Sequence, residues 1–193
     1  MSSTVGSSIL IAGVGGQGIL RASDILSMVA MEAGYDVKKS EVHGMAQRGG
    51  CVTSHVRYGK KVFSPIAQLG DVDVLLSFEK LETLRYLNYL KKNGVIIIND
   101  DELYPPSVNM GKDHYPIDIL DITKQNFERV SIADGKDLAA KAGNVRTINT
   151  ALLGILSSYL DLKLSIWIDV IKKVFPDKLV QVNLDAFKLG RSL

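Results

Sequence analysis

The run Ser8 to Gly13 (SILIAG), followed at once by Val14-Gly15-Gly16-Gln17-Gly18, constrains the fold of this chain more than any other feature. A short apolar run ending in glycines reads as a buried strand, and the G-x-G-x-x-G spacing of Gly13, Gly15 and Gly18 gives a sharp turn into a helix. From Gln17 to Gly34 the apolar residues Ile19, Leu20, Ile25, Leu26, Val29 and Ala33 recur at helical spacing, and Gly34 stands where a C-terminal cap belongs. Tyr35 to Val42 then reads as a second strand. Strand, glycine loop, helix and strand in that order open a βαβ unit. The predicted fold class is therefore α/β: a three-layer, Rossmann-like arrangement with a mostly parallel sheet.

The rest of the chain extends this pattern. Val52, Ser54, Val56 and Tyr58 alternate with Thr53, His55 and Arg57, and Gly59-Lys60 fits a tight turn. An antiparallel hairpin inserted at Cys51 to Ser64, and ended by Pro65, is the expectation. Val72 to Phe78 is a predicted strand, Glu79 to Leu90 a helix, and Gly94 to Asn99 a buried strand. Leu103 to Pro116 is loop or extended edge, Ile117 to Asn126 a weak helix, and Arg129 to Ala133 a strand. Asp134, with Asp137 three residues on, is a plausible N-cap for a helix ending at Gly143. Arg146 to Leu160, Ser165 to Phe175 and Lys178 to Leu189 are helical. Residues 1–193 are read as one unit whose helical C-terminal part occupies 145–193.

Composition narrows the function. A net charge of +2 makes no case for a nucleic-acid or membrane surface. The basic pairs Lys38-Lys39, Lys60-Lys61 and Lys172-Lys173 read as solvated faces. No apolar run approaches the roughly 18 residues of a membrane span, and residues 1–8 lack the pattern of a signal peptide. The expected location is cytoplasmic. The single cysteine, Cys51, leaves too few thiolates for an iron–sulfur cluster, which normally takes about four.

Two stretches can carry chemistry. The glycine loop lets backbone approach a ligand closely, and the helix start behind it offers free N–H groups and partial positive charge, which suits a phosphate. Gly13, Gly15, Gly16, Gln17 and Gly18 are the cofactor-binding candidates here, against the alternative of a purely structural turn. The second stretch, Glu41 to Gly50 (EVHGMAQRGG), follows the second strand at the same sheet edge, where open α/β sheets bind ligands. Arg48, flanked by Gln47, Gly49 and Gly50, can hold a carboxylate or phosphate in a fork, or form a structural ion pair. His43 titrates near neutrality and can move a proton, or serve only in packing. Glu41 stands about where a Rossmann protein places its ribose carboxylate. Cys51 and His55 share a strand face, but His43, Cys51 and His55 supply too few ligands for a metal, and none is expected.

Taken together, GVGGQG, EVHGMAQRGG, VTSHVRYG and Ser64-Pro65 resemble, in order, the gamma-type catalytic domain of 2-oxoacid:ferredoxin oxidoreductases. The resemblance continues through DVDVLLSFEKLETLRYL, Tyr115-Pro116, NTALLG at Asn149 to Gly154 and NLDAFKLG near the end, so it covers nearly the whole chain. The form EVHGMAQRGG is most similar to the indolepyruvate branch. The resemblance implies a subunit that is inactive alone and completes an active site with a larger partner. That partner would carry thiamine diphosphate, Mg and the iron–sulfur clusters, and would pass electrons to ferredoxin. The implied reaction is oxidative decarboxylation of an aryl 2-oxoacid with coenzyme A as co-substrate, giving an acyl-CoA. His43 and Arg48 are the candidate catalytic residues. The sequence itself lacks a GDG followed by the downstream Asn pair that usually anchors thiamine diphosphate through Mg. Three rivals remain at this point: an NAD(P)-binding Rossmann oxidoreductase, an adenylating enzyme, and a non-enzymatic ligand-binding protein of the same fold.

Overall fold

The computed structural model describes residues 6–43 and 50–193, with the backbone alone at His43. Six strands form one sheet in the order β2-β3-β1-β4-β5-β6: β1 is Ser7–Val14, β2 Asp36–His43, β3 Cys51–Gly59, β4 Val72–Ser77, β5 Leu90–Asn99 and β6 Val130–Ala133. β1, β4, β5 and β6 are mutually parallel neighbours, and β3 alone runs against the others, antiparallel to both β1 and β2. The mostly parallel α/β expectation therefore holds.

The hairpin expected at Cys51 to Ser64 does not form. Ser7 to Val14 of β1 pairs along one side of β3, and Asp36 to His43 of β2 along the other. With both edges occupied, β3 has no hydrogen-bonding edge left for a returning strand. Residues 61–70 instead cross in irregular backbone, tied down where Val62 N donates to Asp36 Oδ2 at 2.9 Å and Ala67 N to His55 Nδ1 at 3.3 Å.

Strand alternation builds two apolar surfaces. Ile9, Ile11, Val74, Leu76, Val95 and Ile97 face one side, and Leu10, Ala12, Leu75, Ile96 and Ile98 the other. The first side is covered by α1 (Ile19–Glu32), α6 (Ile148–Ser158), α7 (Leu164–Val174) and α8 (Asp177–Arg191), with Trp167 and Phe187 fully buried beneath them. The second is covered by α2 (Lys80–Tyr86), the turn after it and α4 (Ile119–Asn126) through Tyr86, Leu87 and Leu120. This is the three-layer arrangement. The helix expected over Glu79 to Leu90 is shorter: Glu79 caps α2 by accepting from Glu82 N, a 3-10 turn takes Leu87–Tyr89, and Leu90 already opens β5. Asp134 caps α5 (Gly135–Lys141) as expected, accepting from Asp137 N at 2.9 Å. Within the Leu103 to Pro116 loop only α3 (Pro106–Asn109), a single turn, is helical.

Helices α6 and α8 cross backbone to backbone. A Cβ added to Gly190 would overlap the carbonyl of Ala151, and one on Gly154 would overlap that of Phe187. No flexible side chain stands there to give way. Gly190→Ala is therefore expected to destabilise the fold by about 1–3 kcal/mol, the usual cost of forcing extra volume into a packed core. Urea denaturation of the variant checks this, and an unchanged midpoint would show that the two helices part without cost.

Candidate functional site at the carboxyl edge

β1 and β4 lie side by side, and the connections leaving their carboxyl ends diverge. α1 carries the chain from β1 to β2 over one face, whereas α2 carries it from β4 to β5 over the other. Such a divergence opens a crevice at the strand ends, the place where open α/β sheets receive ligands. Gly15 to Gly18 occupies it.

The loop is held from several directions. Gly15 N donates to Gly50 O at 2.9 Å, which joins the glycine loop to the last residue of the EVHGMAQRGG stretch. The side chain of Gln17 does much of the rest. Its Oε1 accepts from Val14 N at 2.8 Å, and its Nε2 donates to Phe78 O at 3.0 Å and reaches Asp101 Oδ2 at 3.4 Å. Asn99 Nδ2 donates to the same Phe78 carbonyl at 3.0 Å, and its Oδ1 accepts from Gly135 N at 2.9 Å. Asn149 Nδ2, from α6, donates to Gly18 O at 3.0 Å. The ends of β1, β4 and β5 and the starts of α1, α5 and α6 are thus tied into one polar network.

What is left open is a cleft of about 290 Å³, lined by Gly16, Gln17, Gly18, Phe78, Asn99, Asp101, Val145, Arg146, Ile148 and Asn149. The backbone N–H groups of the first turn of α1 begin here, at an N-cap, Gly18, that supplies no side-chain acceptor. Arg146 is exposed at the rim, and Asp101 is ion-paired with Lys136. The cleft combines a positive helix end and a guanidinium, a set that suits an anionic group.

The other sequence candidates fall as follows. Gly44 to Gly49, including Gln47, Arg48 and Gly49, lies outside the described residues, as does the side chain of His43. Gly50 is beside the loop, and Gly13 is packed inside it: a Cβ there would be 2.8 Å from Gln17 Oε1 and 2.9 Å from Phe78 Cβ. Glu41 is not beside the loop. β3 separates β2 from β1, and the register sets Glu41 opposite Ser54 and Ser54 opposite Ile11, so Glu41 stands about 10 Å from β1 across two strand spacings and level with Ile11, four residues short of the loop, and it accepts from Lys39 Nζ at 2.7 Å. Cys51 and His55 are each engaged elsewhere. Cys51 Sγ lies 2.6 Å from Tyr86 Oη, and burial pushes its thiol up to about 11. Burial, then the nearby Arg57, lowers the pKa of His55, whose ring meets Tyr89 edge-on. Among the described residues no three His, Cys, Asp or Glu side chains cluster as a metal site. Sequence reasoning missed Asn99, Asp101, Arg146 and Asn149. Asn99 and Asp101 were within reach, since both follow directly on the apolar run of a strand whose carboxyl end is at this edge.

Fold and site together define an open α/β protein with an anion-suited glycine loop at its switch point. The family model described as pyruvate ferredoxin/flavodoxin oxidoreductase matches residues 8–193, and the chain belongs to that family. Indolepyruvate oxidoreductase subunit IorB of Pyrococcus horikoshii is 44% identical over 94% of this chain and 93% of its own length, and IorB of Archaeoglobus fulgidus is 39% identical over 94% and 92%. Among solved structures, the pyruvate oxidoreductase subunit PORC of Thermotoga maritima superposes with a TM-score of 0.73 at 20% identity, covering 97% of this chain and 96% of that one. A 2-oxoglutarate:ferredoxin oxidoreductase from Magnetococcus marinus matches with a TM-score of 0.73 at 21% identity, over 97% of this chain but 30% of that chain. The protein is a small subunit of a 2-oxoacid:ferredoxin oxidoreductase.

Two measurements probe the local chemistry. Gly16 has φ +104° with nothing within 4 Å of an added Cβ, whereas Gly18 has φ +81° and an added Cβ would overlap Asn149 Nδ2. Gly16→Ala is expected to cost about 1–2 kcal/mol from backbone strain alone, and Gly18→Ala more, because the bond from Asn149 is displaced as well. Equal denaturation midpoints for the two variants would contradict this. For Cys51, a thiol held at about 11 keeps its reactive thiolate scarce at pH 8. Its alkylation by iodoacetamide is expected to be at least about a hundredfold slower than that of an unstructured cysteine, and to rise about tenfold per pH unit up to pH ~10.

Proposed function

We propose that this chain, acting as one gamma-type unit over residues 1–193, is the small subunit of an indolepyruvate-type 2-oxoacid:ferredoxin oxidoreductase. Its carboxyl-edge cleft forms one wall of a composite active site. The observation that carries this reading is the 44% identity to IorB over nearly the full length of both chains. The other wall belongs to a larger companion carrying thiamine diphosphate, Mg and iron–sulfur clusters, and ferredoxin docks there. One cysteine cannot supply the thiolates of a cluster, so that cargo falls to the companion.

The residues present fit an anionic co-substrate. Gly16 leaves open space beside its backbone, the first turn of α1 presents N–H groups, and Arg146 brings positive charge to the rim. We assign Gly15, Gly16 and Gly18 to close approach by the phosphate of coenzyme A or the carboxylate of the 2-oxoacid. Gln17 and Asn149 hold the loop in place. Arg48, two residues before Gly50 in the sequence, acts as a second anion contact, and His43 as a proton carrier. Thiamine diphosphate on the companion supplies the electron sink for decarboxylation; this chain binds, orients and excludes water. A nicotinamide reading is disfavoured by the distance of Glu41 from the loop.

Reconstitution tests the proposal. The chain mixed with the larger subunit is expected to reduce ferredoxin with an arylpyruvate and coenzyme A, and neither chain to do so alone. Arg48→Ala is expected to lower turnover of the complex by about 2–5 kcal/mol in transition-state terms, the range for losing a buried charge-assisted contact, with the melting temperature unchanged. Unchanged turnover would remove Arg48 from the site, and NADH binding by the isolated chain in a fluorescence titration would reinstate the nicotinamide reading.

A further inference from the structure

The segment that follows β5 has a consequence for assembly. It departs from Asn99, passes Asp101 in the wall of the cleft, and runs without regular structure, save for α3, until α4 begins at Ile119. Along it stand Leu103, Tyr104, Met110 and Ile117, which are 40%, 52%, 62% and 99% exposed. Single exposed apolar residues need no explanation, but four within one short segment, one of them an isoleucine entirely in water, do.

The segment is also held in place. Buried Glu79 Oε1 accepts from Tyr115 Oη at 2.5 Å and from Leu103 N at 3.3 Å, while Oε2 of the same carboxylate caps α2. The Tyr104 ring packs on that of Tyr115 with centroids 5.1 Å apart, and Asn109 Nδ2 donates to Tyr104 O at 2.9 Å. The N-cap carboxylate of α2 thus fixes both ends of a loop whose apolar side chains face outward. Apolar groups displayed on a pre-ordered backbone lose little further entropy when they are covered, which is the property of a docking surface.

We infer that Leu103, Tyr104, Met110 and Ile117 form the surface on which the larger, thiamine-binding subunit seats, and that the Glu79–Tyr115 bond presets it. This rests on the function proposed above. The occupant follows from position: the segment begins two residues after Asp101, so a subunit that closes the cleft abuts it. In the M. marinus enzyme a region of this fold makes up only 30% of its chain, so there a fold of this kind is physically continuous with a much larger body. Between Leu103 and Ile117 the only lysine and aspartate are Lys112 and Asp113, Asp118 follows Ile117 directly, and the acidic residues before Leu103 are ion-paired with Lys80 and Lys136, so the matching surface is apolar, with hollows for an aliphatic side chain.

The test measures the dissociation constant between this chain and the purified larger subunit by sedimentation or interferometry. Ile117→Asp and Met110→Asp are each expected to raise it at least tenfold without moving the melting temperature, since both side chains are exposed. Phe63→Asp, at a distant position that is 85% exposed, is expected to leave it unchanged. Ile117→Asp and Met110→Asp variants that bind as wild type would overturn the inference while leaving the function standing, and so would a loss of binding confined to Phe63→Asp. An isolated chain that dimerises through Ile117, with binding to the larger subunit unaffected, would overturn it in favour of a second copy. A wild-type chain that fails to bind the larger subunit at all would remove the function and the inference together.

Discussion

The double pairing of β3 is the constraint on which the rest of this structure depends. A strand with partners on both edges cannot end early or turn back without leaving backbone donors and acceptors unmet in the sheet, each at a cost of about 1–3 kcal/mol. Its register is therefore fixed from both sides, with Cys51 opposite Val14 and Val52 opposite His43. That register puts Gly50 beside Gly15, and the bond between them joins two stretches 35 residues apart in sequence into one site. The same insertion moves β2 one place outward. A βαβ opening that would otherwise carry an acidic residue to the glycine loop carries Glu41 to an ion pair with Lys39 instead. One antiparallel strand thus both assembles this site and removes a dinucleotide's ribose contact from it.

Much of this was legible in the sequence, and the failures have physical causes. The strands β1, β4, β5 and β6 and the helices α1, α6, α7 and α8 follow from apolar periodicity, because each buries a face whose pattern is local. The hairpin expected after Tyr58 does not form, because alternation reports which face of a strand is buried but not how many edges are paired. Gly59-Lys60 lies where the chain leaves the strand, but it does not make the expected tight turn: Gly59 ends β3 without the positive φ that a type II′ turn needs there, so the exit was legible and the turn was not. At the site, the glycine loop and Gly50 were readable. Asn99 and Asp101 could have been read from the end of the β5 apolar run; Arg146 and Asn149 could not, because they reach the site from the turn before α6 and its first turn through packing that no local pattern encodes.

Gln17 illustrates how a site residue can be right in place and different in role. It sits within the glycine fingerprint, and sequence reasoning listed it among ligand contacts. In the fold its amide oxygen takes the Val14 N–H, and its amide nitrogen serves Phe78 and Asp101. A glutamine amide has two donor hydrogens and one acceptor oxygen, so these bonds use most of its capacity. Its function is to lock the end of β1 against the ends of β4 and β5. Neither a shorter Asn nor a carboxylate satisfies the same partners: the first falls short of Phe78, and the second loses both donors and meets Asp101 with like charge.

The division of labour in the proposed complex follows from these features. Open glycine backbone, a helix start and an exposed guanidinium orient anions well but do not transfer electrons or stabilise a carbanion. Those steps require groups of other chemistry, which a chain with one unreactive cysteine does not supply. What the chain does contribute is rigidity. The Gln17, Asn99 and Asn149 amides bridge three strand ends and three helix starts, so the anion-facing backbone is set before any ligand or partner arrives. Contacts organised in advance need no reordering during the reaction, and so lower its barrier more than flexible contacts of equal number. Setting the Leu103 to Ile117 segment through Glu79 applies the same logic to assembly. Glu79 follows directly on Phe78, the residue whose carbonyl Gln17 and Asn99 share, so the cleft wall and the apolar segment are anchored at adjacent positions of one strand end. A partner that seats on that segment is thereby placed in fixed relation to the glycine loop.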